Sequence, residues 1–286
     1  MNFSSIDFWI ALGTGLFLIA LVKQVVSIFG TGESNGIDRV LLAVLSLSLL
    51  FYQSALTLMI FLAVMVVTYI SLMYIRHLPK HFKRFGLGVL VALQFLPLLY
   101  YKYAGFIAEG VFGFKESSYA ALAIPVGISF YTFQMVGFVI DYYKSHSNYP
   151  KFIDCLNFSS FFPQIVAGPI ERKEHLLPQV KDFRFRLDKE NVEEGIKWTV
   201  LGLFLKLALA DNLAGAAPWI PDTTDNPFQI WVASFVFGLR IYFDFAGYSL
   251  IALGLGRMLG IKLILNFFSP YTAMNIQEFW HRWHRS

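Results

Sequence analysis

The sequence predicts an all-α fold, a multi-pass transmembrane helical bundle with re-entrant or interfacial segments. Three observations predict it. Of the 286 residues, 56% are hydrophobic and only 15% charged, where soluble domains carry about 25%, and the mean hydropathy is +0.56. The apolar residues gather into runs long enough for helices of about 20 residues, the length that crosses a bilayer core. The loops between those runs alternate between basic and weakly acidic, as the two sides of a membrane require. A water-facing surface cannot be built from this composition, so the lipid bilayer is the first partner. The formal charge of +4 fits Lys- and Arg-bearing cytoplasmic loops. Those basic residues are scattered along the chain, which argues against nucleic-acid binding. The single Cys155 rules out a disulfide framework within the chain and any cysteine-only metal cluster.

The elements follow in order. Residues 9–29 form the first span, with Lys23 near enough to one end to snorkel. The N-terminus lacks the positive region of a cleavable signal, so this span is retained. Residues 40–75 are too long for one helix and suit two, broken at the polar point Tyr52-Gln53-Ser54. Residues 76–84 hold Arg76, Lys80, Lys83 and Arg84 with His77 and His81; this basic loop belongs in the cytoplasm. Residues 85–107 cross outward, with a kink expected at Pro97, and 119–143 return. The apolar stretch 152–166 is short and runs into Gly168-Pro169, which reads as a re-entrant or interfacial segment.

Residues 170–197 carry seven Lys/Arg and seven Asp/Glu and form an interfacial helix and loop on the cytoplasmic face. Asp188-Lys189-Glu190 marks a helix start within them. Residues 198–217 cross outward to a loop bearing Asp222 and Asp225 but no Lys or Arg. Residues 228–248 return, and 249–260 continue at an angle. The expectation is one integral membrane domain over 1–286, in the cell inner (plasma) membrane, with the N-terminus outside.

The candidate functional residues lie in the last fifty. The apolar run 228–260 carries Arg240 and Asp244. Charges inside a bilayer are costly and tend to mark function. Four residues apart, these two share a helical face and either neutralise each other or line a tunnel. The sequence closes on Glu278-Phe279-Trp280-His281-Arg282-Trp283-His284-Arg285-Ser286. Glu278, His281 and His284 recur every third residue, so they form either a metal half-site or a polar face at the membrane boundary. Trp280 and Trp283 read as interfacial belt aromatics. His284 has the titration range of a general base, and its simpler role is a hydrogen bond to a helix end.

Four blocks carry a resemblance. They are Ile124-Pro125-Val126-Gly127-Ile128-Ser129-Phe130-Tyr131-Thr132-Phe133-Gln134, Phe161-Phe162-Pro163-Gln164-Ile165-Val166-Ala167-Gly168-Pro169-Ile170, Tyr242-Phe243-Asp244-Phe245-Ala246-Gly247-Tyr248-Ser249 and Ile276-Gln277-Glu278-Phe279-Trp280-His281-Arg282-Trp283-His284. In this order they resemble the membrane-bound O-acyltransferase family, and within it the bacterial polysaccharide branch of alginate O-acetylation and D-alanyl-teichoic acid transfer proteins. The resemblance implies an enzyme that moves an acyl group across the membrane onto an extracytoplasmic hydroxyl, through a tunnel holding two histidines.

His284 matches the first of these histidines. The second belongs to a later hydrophobic helix, so the 286 residues are expected to be an N-terminal fragment of a longer protein and inactive alone. His281 stands where the family more often has Arg or Asn, and Leu250 replaces an Asp common in alginate-type members. Arg240, Asp244, Tyr248, Glu278, Trp280 and His281 are the candidates for lining the tunnel or the substrate. The implied donor is acetyl-coenzyme A or another acyl thioester, free or on a carrier protein, with no bound cofactor or metal. The implied acceptor is an exported polysaccharide, and a separate extracytoplasmic acyltransferase is an implied partner.

Two rival readings remain open from the residues alone. One is a transporter or channel whose path is lined by Arg240, Asp244 and Lys206. The other is a membrane metalloenzyme using Glu278, His281 and His284.

Overall fold

The computed structural model describes residues 3–28, 35–114, 123–145, 150–165, 168–216, 226–283 and 285. Among them there is no β-strand, and six helices are long and apolar enough to cross a membrane. These are α1 (Ile6–Ile28), α2 (Asn35–Gln53), α3 (Ala55–His77), α4 (Lys80–Leu98) with its extension to Val111, α10 (Lys189–Leu203) with its extension to Gly215, and α12 (Pro227–Met258). Their outer faces carry exposed Phe17, Met59, Ile70, Phe106, Val200 and Phe235. That is how a surface looks when lipid is the solvent.

The chain divides into two compact units, Ala11–Val166 with Ile170–Arg184, and Asn2–Ile10 with Ala167–Pro169 and Phe185–Ser286. In the first unit, α2 stops at Gln53 and α3 begins after Ser54, whose hydroxyl accepts the Thr57 N–H as an N-cap. The break read at Tyr52-Gln53-Ser54 is therefore real. The basic loop expected over 76–84 is shorter than that: α3 ends at His77, and only Leu78 and Pro79 separate it from α4. Proline and the residue before it both favour extended backbone, which turns the chain in two residues. Most of the expected loop thus belongs to the two helix ends.

Pro97 does not end α4. The helix widens into π-type turns at Leu99–Tyr103 and Ile107–Val111, on either side of the short α5 (Ala104–Phe106). A buried bond from Gln94 Nε2 to Thr68 Oγ1, 2.7 Å, ties α4 to α3, as polar side chains do between membrane helices.

The crossing expected over 119–143 takes a different form. Residues 119–122 lie outside the described set, and the helix is α6, Ile128–Ser145. It is not one of the six span-like helices among the described residues. Half of it is buried, Thr132 and Gln134 included, so protein rather than lipid surrounds its polar groups. Gly127 precedes it at φ +72, and a Cβ there would sit 2.4 Å from the Ile165 carbonyl oxygen. Only glycine permits both that conformation and that approach.

The short apolar stretch after residue 151 is a broken pair, α7 (Phe152–Ser160) and α8 (Phe162–Ile165), almost wholly buried. This agrees with a segment too short to span. The Gln134 side chain grips Glu171, donating to its carbonyl at 3.0 Å and accepting its N–H at 3.0 Å. The buried Glu171 carboxylate in turn meets His175 Nδ1 at 2.6 Å. Asp141 accepts the Lys173 N–H as α9 (Lys173–Lys181) begins. Arg39 pairs with buried Asp154, and its carbonyl accepts from Asn157 Nδ2 at 2.9 Å. Gln134, at the end of the first resemblance block, is thus clasped by buried hydrogen bonds to Glu171, one residue past the second.

In the second unit the sequence signals a helix start at Asp188, and the structure puts it there: Asp188 caps α10 by accepting the Asn191 N–H. The span expected over 198–217 is consequently longer at its N-terminal side, because α10 begins at Lys189 and not at the first continuous apolar residue. It runs through a π-type turn at Phe204–Ala210 into α11 (Asp211–Ala216). The second correction concerns 249–260, which do not form a separate angled segment. α12 is one helix from Pro227 to Met258. It stops where Gly260, at φ +79, lets the Ile261 N–H reach the Gly256 carbonyl and its own N–H reach that of Arg257, a Schellman motif.

Candidate functional site

The site is built on the seam between α10 and α12. The two helices run antiparallel, with Gly195 against Gly254 and Met258, and Gly202 against Gly247 and Ile251. A Cβ at Gly254 would come within 2.3 Å of Thr199 Oγ1 and 2.5 Å of the Gly195 carbonyl; one at Gly202 would come within 2.6 Å of the Gly247 carbonyl. Small residues at alternating three- and four-residue spacing let membrane helices approach this closely. The same spacing carried one turn further brings Lys206, in the π-type turn, onto the Asp244 level of α12.

Lys206 Nζ lies 2.7 Å from Asp244 Oδ1 and 2.7 Å from Asp211 Oδ1. It also stands over the Tyr248 ring, 5.4 Å from the centroid, and Tyr248 packs against Phe3 with ring centroids 5.7 Å apart. Of the predicted lining residues, Asp244 and Tyr248 are therefore brought together. Arg240 is not part of the group. It is exposed, and the predicted Arg240–Asp244 pair is replaced by Lys206–Asp244. The reason is one of scale: an i,i+4 pair on one helix is worth a few tenths of a kcal/mol, while a cross-helix pair in a less polar setting gains more. Sequence reading offers Lys206 only as a possible lining residue of a transporter and misses Asp211. The signals available were the glycine periodicity leading to Lys206 and the acid five residues beyond it.

The second cluster surrounds α13 (Ile276–Trp283). Asn275 caps this helix by accepting the Glu278 N–H at 2.8 Å, and Glu278 Oε2 reaches back to the Met274 N–H at 2.9 Å, close to a capping box. The other Glu278 oxygen takes Arg282 Nη2 at 2.6 Å and Nε at 3.0 Å. The Met274 N–H first, and then Arg282, hold the Glu278 carboxyl below its ordinary value. Glu278 thus fastens the helix, which works against its service as a metal ligand. No group of three His, Cys, Asp or Glu among the described residues could hold a metal ion.

Trp283 also packs within the protein. It is the hub of an aromatic cluster, 5.3 Å from Phe267, 5.9 Å from Tyr242, 6.1 Å from Tyr271 and stacked on Phe279 at 5.3 Å. Trp280 and His281 lie on the exposed side. The Arg282 carbonyl accepts the Phe268 N–H at 2.9 Å, and the Arg285 N–H donates to the Asn266 carbonyl at 3.2 Å. His284, the residue with the strongest chemical claim, lies outside the described residues.

Comparison with known proteins adds the family. The model of MBOAT, the membrane-bound O-acyltransferase family, matches residues 45–286. A peptidoglycan O-acetyltransferase of Helicobacter pylori is 34% identical over 236 residues, 72% of this chain and 45% of that protein. A probable alginate O-acetylase of Pseudomonas putida is 35% identical over 213 residues, 70% of this chain and 42% of that protein. A teichoic acid D-alanyltransferase of Streptococcus thermophilus is 31% identical over 169 residues, 56% of this chain and 40% of that protein. The chain spans less than half the length of these relatives. All four resemblance blocks fall inside the matched residues, and so do Lys206, Asp211 and Asp244: the chain belongs to the membrane-bound O-acyltransferase family.

Proposed function

We propose that the protein is a membrane O-acyltransferase of the cell inner membrane. It transfers an acyl group, acetyl on this reading, from a cytoplasmic thioester towards hydroxyls of an exported polysaccharide. The observation that supports it is the family match over residues 45–286 together with relatives named for O-acetylation of cell-wall or secreted polymers. The donor on this reading is acetyl-coenzyme A or an acyl group on a carrier protein, and an extracytoplasmic acyltransferase receives or shares the product.

His284 is the proposed general base. It takes the hydroxyl proton as the acceptor oxygen adds to the acyl carbonyl, and the tetrahedral intermediate then collapses by expelling the thiolate, which takes that proton. Asp244, Tyr248 and Lys206 form a polar station in the apolar run of α12, suited to lining the acyl path.

The test is acyl transfer by the full-length protein with a labelled thioester donor. His284→Ala is expected to reduce the rate by about 10²–10⁴, the usual contribution of a general base, with folded yield unchanged. His281→Ala, on the exposed side of α13, is expected to cost far less. A severe loss on His281→Ala, reversed by added metal, would overturn the assignment in favour of a metalloenzyme.

A further inference from the structure

At the end opposite the Lys206 station, α10 begins and α12 ends side by side, and a cleft of about 290 Å³ opens there. Its walls change character along the helix axes. Trp198 and Leu253 lie one turn inward of Glu194 and Arg257 respectively, about 6 Å along each helix. The Schellman turn at Gly260 folds the chain back so that Leu263 packs on Gly256 and Lys262 joins the outer rim. Glu194 Oε2 takes Arg257 Nε and Nη2, each at 2.6 Å. Lys262 and the Trp198 indole also act on the Glu194 carboxylate; counted over the lining, two basic side chains stand against that one carboxylate, a formal surplus of one positive charge. On α10, Leu201, one turn beyond Trp198 on the same side, is exposed and continues the apolar surface towards lipid.

A basic rim over an apolar floor, at the point where two spans leave the bilayer, matches one chemistry: a phosphate joined to an apolar tail. We infer that this cleft binds an anionic phospholipid, with its headgroup phosphate on Lys262 and Arg257 and an acyl chain along Trp198 and Leu253. Basic pockets between membrane helices recognise such headgroups, and the guanidinium and ammonium donate well to phosphate oxygens. A soluble phosphate would leave the Trp198 and Leu253 wall exposed to water. None of the residues that line the cleft is among the proposed acyl-transfer residues, so the test does not depend on them.

The test is lipid retention by the full-length protein, purified from nanodiscs of phosphatidylcholine with or without phosphatidylglycerol and read by native mass spectrometry. Phosphatidylglycerol is expected to be retained in preference to phosphatidylcholine. Lys262→Gln is expected to weaken that retention about fivefold, the effect of one basic residue near a charged lipid surface. Lys189→Gln, an exposed residue at the start of α10 paired with Glu193, should leave it unchanged. Millimolar inorganic pyrophosphate should not displace the lipid from the unmodified protein. Equal retention of both lipids, or equal loss with Lys189→Gln, would overturn the inference. Displacement by pyrophosphate would also overturn it and make the ligand a soluble phosphate. The lipid-preference and displacement arms use the unmodified protein, so they decide the matter even where a variant folds poorly.

Discussion

Lys206 answers to two carboxylates at once, Asp211 and Asp244, each at 2.7 Å. Removing the cation would leave two acids side by side between helices, whereas removing Asp244 still leaves Lys206 with Asp211. Breaking a fully buried pair costs about 3–5 kcal/mol. The Asp244 side chain is 43% exposed, so Lys206→Met is expected to cost less, about 1–3 kcal/mol. Asp244→Asn should be milder than Lys206→Met, and the double change milder than the sum of the two. Arg240→Gln should leave thermal stability in detergent unchanged, since Arg240 is exposed and outside the group. Equal damage from Arg240→Gln and Lys206→Met would restore the same-helix pair that the sequence suggested. Helical periodicity put Arg240 and Asp244 on one face correctly. What it could not supply was the cation from a second helix.

The α10–α12 seam depends on residues whose virtue is the lack of a side chain. At Gly254 a methyl group would meet Thr199 Oγ1 at 2.3 Å and backbone oxygen at 2.5 Å, and backbone cannot swing aside as a long side chain can. Gly254→Ala is therefore expected to destabilise by about 1–3 kcal/mol, the usual cost of overpacking. At Gly88, in α4, a methyl group would have nothing within 4 Å. Gly88→Ala should be neutral or stabilising by up to about 1 kcal/mol, because alanine is the better helix former. Thermal denaturation in detergent separates the two, and a harmless Gly254→Ala would mean the helices are not packed this closely. Some element boundaries were readable: the break at Tyr52-Gln53-Ser54 and the helix start at Asp188 fall where the polar side chains put them. The boundaries that sequence misplaced include Lys189, where a polar first turn opens a membrane helix, Leu78-Pro79, where two residues of extended backbone replace a loop, Ile128, where α6 begins well inside the crossing expected from 119, and Met258, to which α12 runs without the break expected at 249.

On the scale of the molecule, the basic helix ends around 76–84 and the polar segment 170–188 are proposed to share the cytoplasmic side, with 222 and 225 opposite. Single cysteines at 80, 175 and 222 can be treated in intact cells with an impermeant thiol reagent. The expected pattern is labelling at 222 alone. Cys155 is fully buried, so the unmodified protein should give no background, and a Cys155→Ser version guards that control. Labelling at 80 but not at 222 would invert the topology and with it the cytoplasmic origin of the acyl donor.

Composition and periodicity by themselves determined the membrane class, the helical fold and some of the helix ends, and four short sequence blocks carried the resemblance to the acyltransferase family, because each of these is written in neighbours within a few residues. Tertiary structure decided what those neighbours meet. It gave Asp244 to Lys206 instead of Arg240, placed Trp283 at the centre of an aromatic cluster, and committed Glu278 to Arg282 and the start of α13. It also joined Gln134 to Glu171 across 37 residues of chain. Local patterns fix which face of a helix a side chain occupies. The partner on that face comes from a distant part of the chain, and only close packing, at the glycine seam and at Gly127, selects it.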